Sequence, residues 1–518
     1  MIPVIDIFAG PGGFGEGFSA VETEDGERVF DIQLSIEKDP VAHQTLKLRN
    51  FFREFNDSEV PADYYDFLRG KITAEILFDR HPRESESAKA KAWLATLGEV
   101  SQRTVQERID AALGKADNWV LIGGPPCQAY SLAGRSSNRG NGNYVPDEDV
   151  RQRLYLEFLQ IITDHWPAIF IMENVKGLLS AALANQRIFH RIVDDLGDPA
   201  HAVKREGRTL RRNDRKHRYR IFSLVTSREV NGNLSDSVIK AENYGIPQAR
   251  HRIILLGIRD DLGRVLPGAL TKQTAIPSSM VLSDLPKVRS GLSKTEDSPR
   301  AWIDNLRDGL NRRWFDGIPR VGGENVQKYV KLVLKEIAPP EYGRGGEFIS
   351  VTAEPEYARE WFVYPRLDGI CNHSTRGHMS KDLHRYLYAA CFAGIQHRSP
   401  SLKDFPPDLH PDHNNVAQAL EGGTFSDRFR VQLESRPATT VMSHISKDGH
   451  YYIHPDPMQC RSLTVREAAR LQTFPDNYFF MGPRTSQYVQ VGNAVPPLLA
   501  KQVAKIVHDI LDETGIAD

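Results

Sequence analysis

A chain of 518 residues is longer than one ordinary core organises, so two domains are expected. With 40% hydrophobic and 26% charged residues, and no apolar run near the ~20 residues of a membrane span, the composition is that of a soluble globular protein. Four cysteines without CxxC spacing exclude a disulfide framework and speak against a cysteine zinc site, while a net charge of −1 confines any nucleic-acid binding to a local basic surface. Met1-Ile2-Pro3-Val4 leads straight into patterned sequence, so no signal peptide is expected and the compartment expected is a reducing cytoplasm.

The first expected strand is Val4-Ile5-Asp6-Ile7-Phe8-Ala9, and it runs into Gly10-Pro11-Gly12-Gly13. Glycines after a first strand let the backbone turn tightly and approach a nucleotide-like ligand, with a helix start facing it. The next strand, Asp31-Ile32-Gln33-Leu34-Ser35-Ile36, ends at Glu37, where a doubly wound sheet places an acid on a ribose diol. Residues 39–118 are less informative, with helix-like charge and alanine patterning over 84–113 that reads as a solvated helical insertion. Trp119-Val120-Leu121-Ile122 is a short buried strand halted by Gly123-Gly124-Pro125-Pro126, a stiff loop that presents Cys127 at the carboxyl edge of a sheet. A thiol so presented is a candidate nucleophile, whereas Cys371, Cys391 and Cys460 read as small buried hydrophobes.

Residues 134–149 are polar and glycine-bearing, either an ordinary surface loop or a lid beside the thiol. A helix is expected over 150–165, then a buried strand from Trp166 to Met172 that ends on Glu173-Asn174-Val175. Residues 204–220 carry Lys204, Arg205, Arg208, Arg211, Arg212, Arg215, Lys216, Arg218 and Arg220, which suits either a phosphate contact or a solvated face. Farther on, Gln248-Ala249-Arg250-His251-Arg252 leads into Ile253-Ile254-Leu255-Leu256, and alternation in an extended segment turns Arg250 and Arg252 to one face. Residues 286–425 lack long periodic segments, as in a loop-rich second domain, and the histidines His373 and His378 there have no cysteine or acid cluster for a metal site. Thr464 and Glu467 frame a capping box, and Gly492-Asn493-Ala494-Val495 precedes an amphipathic helix ending near Leu511.

In this order the motifs resemble those of the C5-cytosine DNA methyltransferases, from residue 4 to about residue 507. The resemblance implies an α/β fold, with a Rossmann-like S-adenosylmethionine (SAM)-dependent methyltransferase sheet and a second, smaller, loop-rich target-recognition domain. It implies a catalytic domain over 1–285, target recognition over 286–460, and a return segment over 461–518 that completes the catalytic domain. Cys127 would be the nucleophile, Glu173 of the Glu-Asn-Val element and Arg252 would hold the base, Asn174 of the same element would belong to the catalytic set, and Arg250 would support the site. Phe8, Gly10, Gly12, Gly13, Glu37, Pro125, Leu154, Asn493 and Val495 would contact SAM. Gly70-Lys71-Ile72-Thr73 is the nearest match to the family's adenine-contact segment, with Ile72 carried over and Lys71 where the family has an acid. The implied partner is double-stranded DNA in a bacterial cytoplasm, associated with the nucleoid through that DNA. A cognate restriction endonuclease or mismatch-repair nuclease stays open. Two alternatives also stay open: a transfer-RNA methyltransferase of the same family and a catalytically silent DNA-binding regulator.

Overall fold

The computed structural model describes residues 1–125, 150–175, 183–211, 216–230, 234–411, 416, 420 and 427–516. The chain forms two compact units: one from 1–60, 78–274 and 494–518, the other from 61–77 and 275–493. The boundaries differ from the expected segments, because residues 461–493 pack with the second unit and the return to the first begins at Ala494. Among the described residues no helix is long and apolar enough to cross a membrane.

The first unit is built on an eight-stranded sheet. Its strands are β1 (Ile2–Ile7), β2 (Phe30–Glu37), β3 (Ala92–Leu94), β4 (Val120–Gly123), β5 (Ile169–Val175), β6 (Tyr219–Ser223), β7 (Val238–Lys240) and β8 (His251–Arg259). The order is β3-β2-β1-β4-β5-β8-β6, with β7 also on β8. The strands from β3 to β5 are parallel and β8 is antiparallel to its neighbours. Alternation divides the apolar side chains between two cores: Val4, Val120, Ile122, Ile169, Ile171 and Ile254 face one side, and Ile5, Ile7, Leu121, Phe170, Met172 and Leu255 the other. A register shift between Val4 and Ile5 moves β2 by one residue, so Ile32 lies with the first set while Leu34 and Ile36 lie with the second.

Helices close both faces, giving three layers. Helix α1 (Gly13–Ser19) follows β1, and α2 (Pro40–Arg53) follows β2 with Asp39 capping the backbone N–H groups of Val41 and Ala42. Helix α3 (Ala62–Leu68) belongs to the second unit. Helix α4 occupies Val150–His165, as its spacing predicts, and buries Tyr155, Phe158, Leu159 and Ile162 in the second core. The expected helical character of 84–113 is met by helices at Pro82–Lys91 and Gln102–Leu113.

The second unit departs from the loop-rich expectation by carrying two helices of 17 residues each, α5 (Arg320–Glu336) and α6 (Ser380–Gln396). They bury Val326, Val330, Val333, Leu383 and Leu387 together with Trp302 and Leu306. Helix α7 (Val465–Leu471) has the expected capping box, with the Glu467 N–H on Thr464 Oγ1 and the Thr464 N–H on Glu467 Oε2. Around it three arginines are buried and fully engaged. Arg461 donates to Glu467 at 2.7 Å, Arg466 to the carbonyls of Cys371, Pro475 and Tyr478, and Arg470 to Asp476 at 2.7 Å and Asp284 at 3.0 Å. His373 is buried between Thr464 Oγ1 and the Pro286 carbonyl. The segment 61–77 joins this unit through stacking of Tyr65 on Tyr364 and an Arg69 bond to the Leu367 carbonyl at 3.0 Å. Cys371, Cys391 and Cys460 are free, buried thiols, as expected, and burial pushes Cys371 up to about 12.

The first unit's last helix, α8 (Pro497–Glu513), lays Leu499, Val503, Ile506, Val507 and Ile510 on the first core beside Phe14 and Phe18 of α1.

Candidate active site

The register brings the ends of five strands to one level. Ile7 pairs with Ile36 and Gly123, and Gly123 pairs with Met172. The next residue on each strand, Phe8, Glu37, Gly124 and Glu173, therefore stands at the same carboxyl edge, where open α/β sheets bind ligands. Strand β8 runs the opposite way, so its amino end reaches that edge with Arg252 opposite Val175.

Arg252 is in register two residues beyond Glu173 on β5, which makes it the diagonal cross-strand neighbour of Glu173. Arg252 Nε lies 2.8 Å from Glu173 Oε1, an ion pair without the alignment of a hydrogen bond, and its Nη1 donates to the His251 carbonyl at 2.9 Å. Gly124 lets the chain pass this carboxylate, since a Cβ there would lie 3.1 Å from Glu173 Oε2. Pro125 is buried next to it. Cys127, two residues beyond Pro125, lies outside the described residues, as do Arg212, Arg215 and the 134–149 loop. Asn174 is buried within β5.

Arg250 is not part of a continuous strand with Arg252, contrary to the alternation expected. It falls in a break between Gln248–Ala249 and β8, where its N–H donates to the Gln248 carbonyl. The backbone turn there buries Arg250 to 2% exposure, while Arg252 keeps part of its side chain accessible.

The glycine loop follows β1. Phe8, Gly10 and Gly12 have φ of 56°, 58° and 93°, and the Ala9 N–H donates to the Ile36 carbonyl. Gly13 is required by contact, because a Cβ there would meet the Val495 carbonyl oxygen at 2.2 Å. Glu37 Oε2 accepts the Gly10 N–H and Oε1 the Asp39 N–H, each at 2.8 Å, so both oxygens keep acceptor capacity for a ligand. A Cβ at Gly10 would meet nothing within 4 Å, so the loop opens onto free space beside Glu37. Leu154 is buried, and Val495 lines the loop at Gly13. Ile72 and the exposed Asn493 belong to the second unit.

The loop motif begins at Asp6 but assigns it no role. Its carboxyl is buried, accepts the Gly15 N–H, and has no hydrogen-bond partner for Oδ2. Burial pushes it up to about 8, against the pull of Arg53. Behind it Glu16 would also be pushed up by burial, but Arg49 at 2.8 Å and Arg53 at 2.9 Å outweigh that and hold it ionised. The available signal was an acid inside an otherwise apolar strand. The open Glu37 oxygens and the free space at Gly10 together fit a nucleoside-bearing cofactor.

The basic run resolves differently. Arg205 pairs with Asp195 at 2.8 Å, Arg208 with Glu157 at 2.6 Å, Arg211 with Asp110 at 2.8 Å and Arg218 with Asp198 at 3.0 Å, while Arg220 donates to the carbonyls of Gly263 and Val265. Most of its described cations answer the unit's own acids and carbonyls, which the single sign of the run concealed.

The sequence pattern of the C-5 cytosine-specific DNA methylase family matches residues 90–206 and 210–508. The chain is 30% identical to the type II methyltransferase M.Bpa9945I of Bacillus paralicheniformis over 98% of this chain and 99% of that protein. It is 24% identical to the type II methyltransferase M.DdeI of Desulfomicrobium norvegicum, over 97% of this chain and 87% of that one. With the DNA (cytosine-5-)-methyltransferase M.ApeKI of Aeropyrum pernix the identity is 26%, over 77% of this chain and 83% of that one.

Proposed function

The chain belongs to the C-5 cytosine-specific DNA methylase family, and from that premise we propose how its residues act on a cytosine. It is a DNA (cytosine-5-)-methyltransferase with S-adenosylmethionine as methyl donor. Held at Glu37 and the Gly10 to Gly13 loop, that donor supplies an electrophilic methyl group. The observation that carries the proposal is the Glu173–Arg252 pair, placed at the sheet edge beside the Gly124 turn that leads to Cys127.

C5 of cytosine is a weak nucleophile. Addition of the Cys127 thiolate to C6 makes the ring an enamine and turns C5 into a nucleophile. Glu173 hydrogen-bonds N3, sharing a proton with the base, and Arg252 donates to O2, so charge developing on the ring is met by groups already in place. Arg250 supports Arg252 from the break before β8, and Asn174 fixes the end of β5. Once C5 is methylated, loss of its proton expels the Cys127 thiolate. A stacked base is out of reach of these groups, so the cytosine is extruded from the duplex, at a cost of a few kcal/mol. The second unit reads the DNA sequence around it. This reading puts the enzyme on bacterial DNA in the cytoplasm, with a cognate restriction endonuclease as the partner whose cutting it blocks.

The test is a duplex with 5-fluorocytosine at the target position. Fluorine cannot leave as a proton does, so a stable covalent complex is expected with SAM present, and peptide mapping should find the base on Cys127. Cys127→Ser should lose methyl transfer and trapping while still binding SAM. A label on Cys371, Cys391 or Cys460, or trapping by RNA alone, would overturn the proposal.

A further inference from the structure

The guanidinium of Arg252 hangs from its own backbone. Among the described residues its one hydrogen bond runs from Nη1 to the His251 carbonyl at 2.9 Å. His251 is the first residue of β8 and follows the break at Arg250, so the carbonyl that holds Arg252 belongs to a strand end. Strand ends fray unless something ties them down. On one side this end is covered by β7, whose last residue, Lys240, stands opposite His251, and the Ala241 N–H donates to the Arg250 carbonyl.

A second tie comes from the turn after β7. Glu242 lies in the 3-10 turn Ala241–Tyr244 and places its Oε1 2.7 Å from His251 Nε2. Glu242 Oε2 is buried and has no hydrogen-bond partner among the described residues, so the imidazole is what answers the burial of this carboxylate. The cations around His251 are Lys240, opposite it in the ladder, and its chain neighbours Arg250 and Arg252, and Glu242 is the acid set against them. Ile253 packs in one core and Ile254 in the other, so alternation along β8 puts His251 and Arg252 on opposite faces. The imidazole therefore acts on Arg252 through the peptide between them and does not touch the base.

We propose that Glu242 and His251 are positioning residues for methyl transfer: the pair clips the start of β8 to the turn after β7 and fixes the carbonyl from which Arg252 presents its other N–H groups to the cytosine. The inference rests on the assignment of Arg252 to the base. A guanidinium whose anchor drifts by about an ångström meets the developing charge out of line, which costs rate and leaves cofactor affinity alone.

The test is the single-turnover rate of methyl transfer from labelled SAM to unmethylated genomic DNA by the full chain, beside calorimetric binding of S-adenosylhomocysteine, with melting curves to verify folding. Glu242→Ala and His251→Ala should each slow transfer about tenfold or more, with S-adenosylhomocysteine bound as in the parent. Glu242→Gln keeps an acceptor for the imidazole N–H and should stay within about threefold of the parent rate. In an Arg252→Ala background Glu242→Ala should have no further effect, because the pair acts through that guanidinium. If Glu242→Ala does not fold, His251→Ala serves in the same cycle. Losses that multiply in the Arg252→Ala background, or a Glu242→Gln rate as low as that of Glu242→Ala, would overturn the positioning role. If Arg252→Ala transfers at the parent rate, the assignment of Arg252 to the base fails and this inference with it. If Arg252→Ala is slow while Glu242→Ala and His251→Ala keep the parent rate, the positioning pair alone is overturned.

Discussion

The two units keep their shape by different means. The first is a sheet between two apolar layers, with the Glu173–Arg252 pair at its carboxyl edge and the Glu16–Arg49 pair at α1. The second has one apolar cluster of helices, and beside it a polar core in which Arg461, Arg466 and Arg470 are buried and held by acids and carbonyls. An apolar layer tolerates a lost contact in proportion to the area lost, whereas a buried guanidinium whose partner is removed becomes an unpaired charge.

The largest effect follows from that contrast. Asp476→Ala leaves Arg470 with Asp284 as its one acid, beside the Val281 carbonyl, and should cost about 3–5 kcal/mol, read as a lower denaturant midpoint for the second unit. A loss under ~1 kcal/mol, the usual range for an exposed ion pair, would mean the polar core is dispensable. In the first unit the comparable weak point is steric. Gly17→Ala puts a Cβ 2.4 Å from the Ala500 Cβ and 2.5 Å from the Pro497 carbonyl oxygen, and overpacking of this kind typically costs about 1–3 kcal/mol. Its effect should fall on the first unit's transition only.

A titration sharpens the comparison, because the units carry shifts of opposite sign. Asp6 is raised to about 8 by burial, so its protonated form favours the fold below the ordinary carboxylate range, and that contribution is lost as pH rises toward 8. His373 is lowered to about 4 by burial, so its neutral form favours the fold above pH 6.5, and that contribution is lost as pH falls toward 4. Between pH 4 and 6.5 each group changes stability by up to about 1.4 kcal/mol per pH unit, in opposite directions. Comparing Asp6→Asn and His373→Gln with the parent across this window should expose the two slopes. Equal signs would remove the distinction. At α7, Thr464→Ala removes one half of a capping box together with the Oγ1 partner of buried His373, and should cost about 1–3 kcal/mol by the same denaturant measurement.

The contrast also explains what was legible in the sequence. Strand ends followed by Gly10-Pro11-Gly12-Gly13 or Gly123-Gly124-Pro125, the acid at Glu37, the 150–165 helix and the Thr464 capping box are local patterns, each fixed by residues a few positions apart. Arg470 is held by an aspartate 186 positions away, and no local pattern marks such a partner. The placement of 61–77 with the second unit was hidden for the same reason, as was the short strand Ala92–Leu94 inside a stretch with helical composition. Asp6 and the break at Arg250 were missed differently. Their burial follows from sheet packing, which turned one acid inward and interrupted one alternation.

The passage of the chain between units has a consequence for biosynthesis. It crosses four times, at 60/61, 77/78, 274/275 and 493/494. On a ribosome, the glycine loop after β1 emerges among the first residues, yet the carbonyl that closes on Gly13 and the helix that fits against Gly17 belong to 495–501. The earliest part of the ligand site therefore waits through the synthesis of both units for its packing partner. A nascent or prematurely terminated chain holds β1 and its loop with one side of the first core uncovered. On the proposed reading of that loop, cofactor competence arrives with the last helix, after the whole second unit has been made.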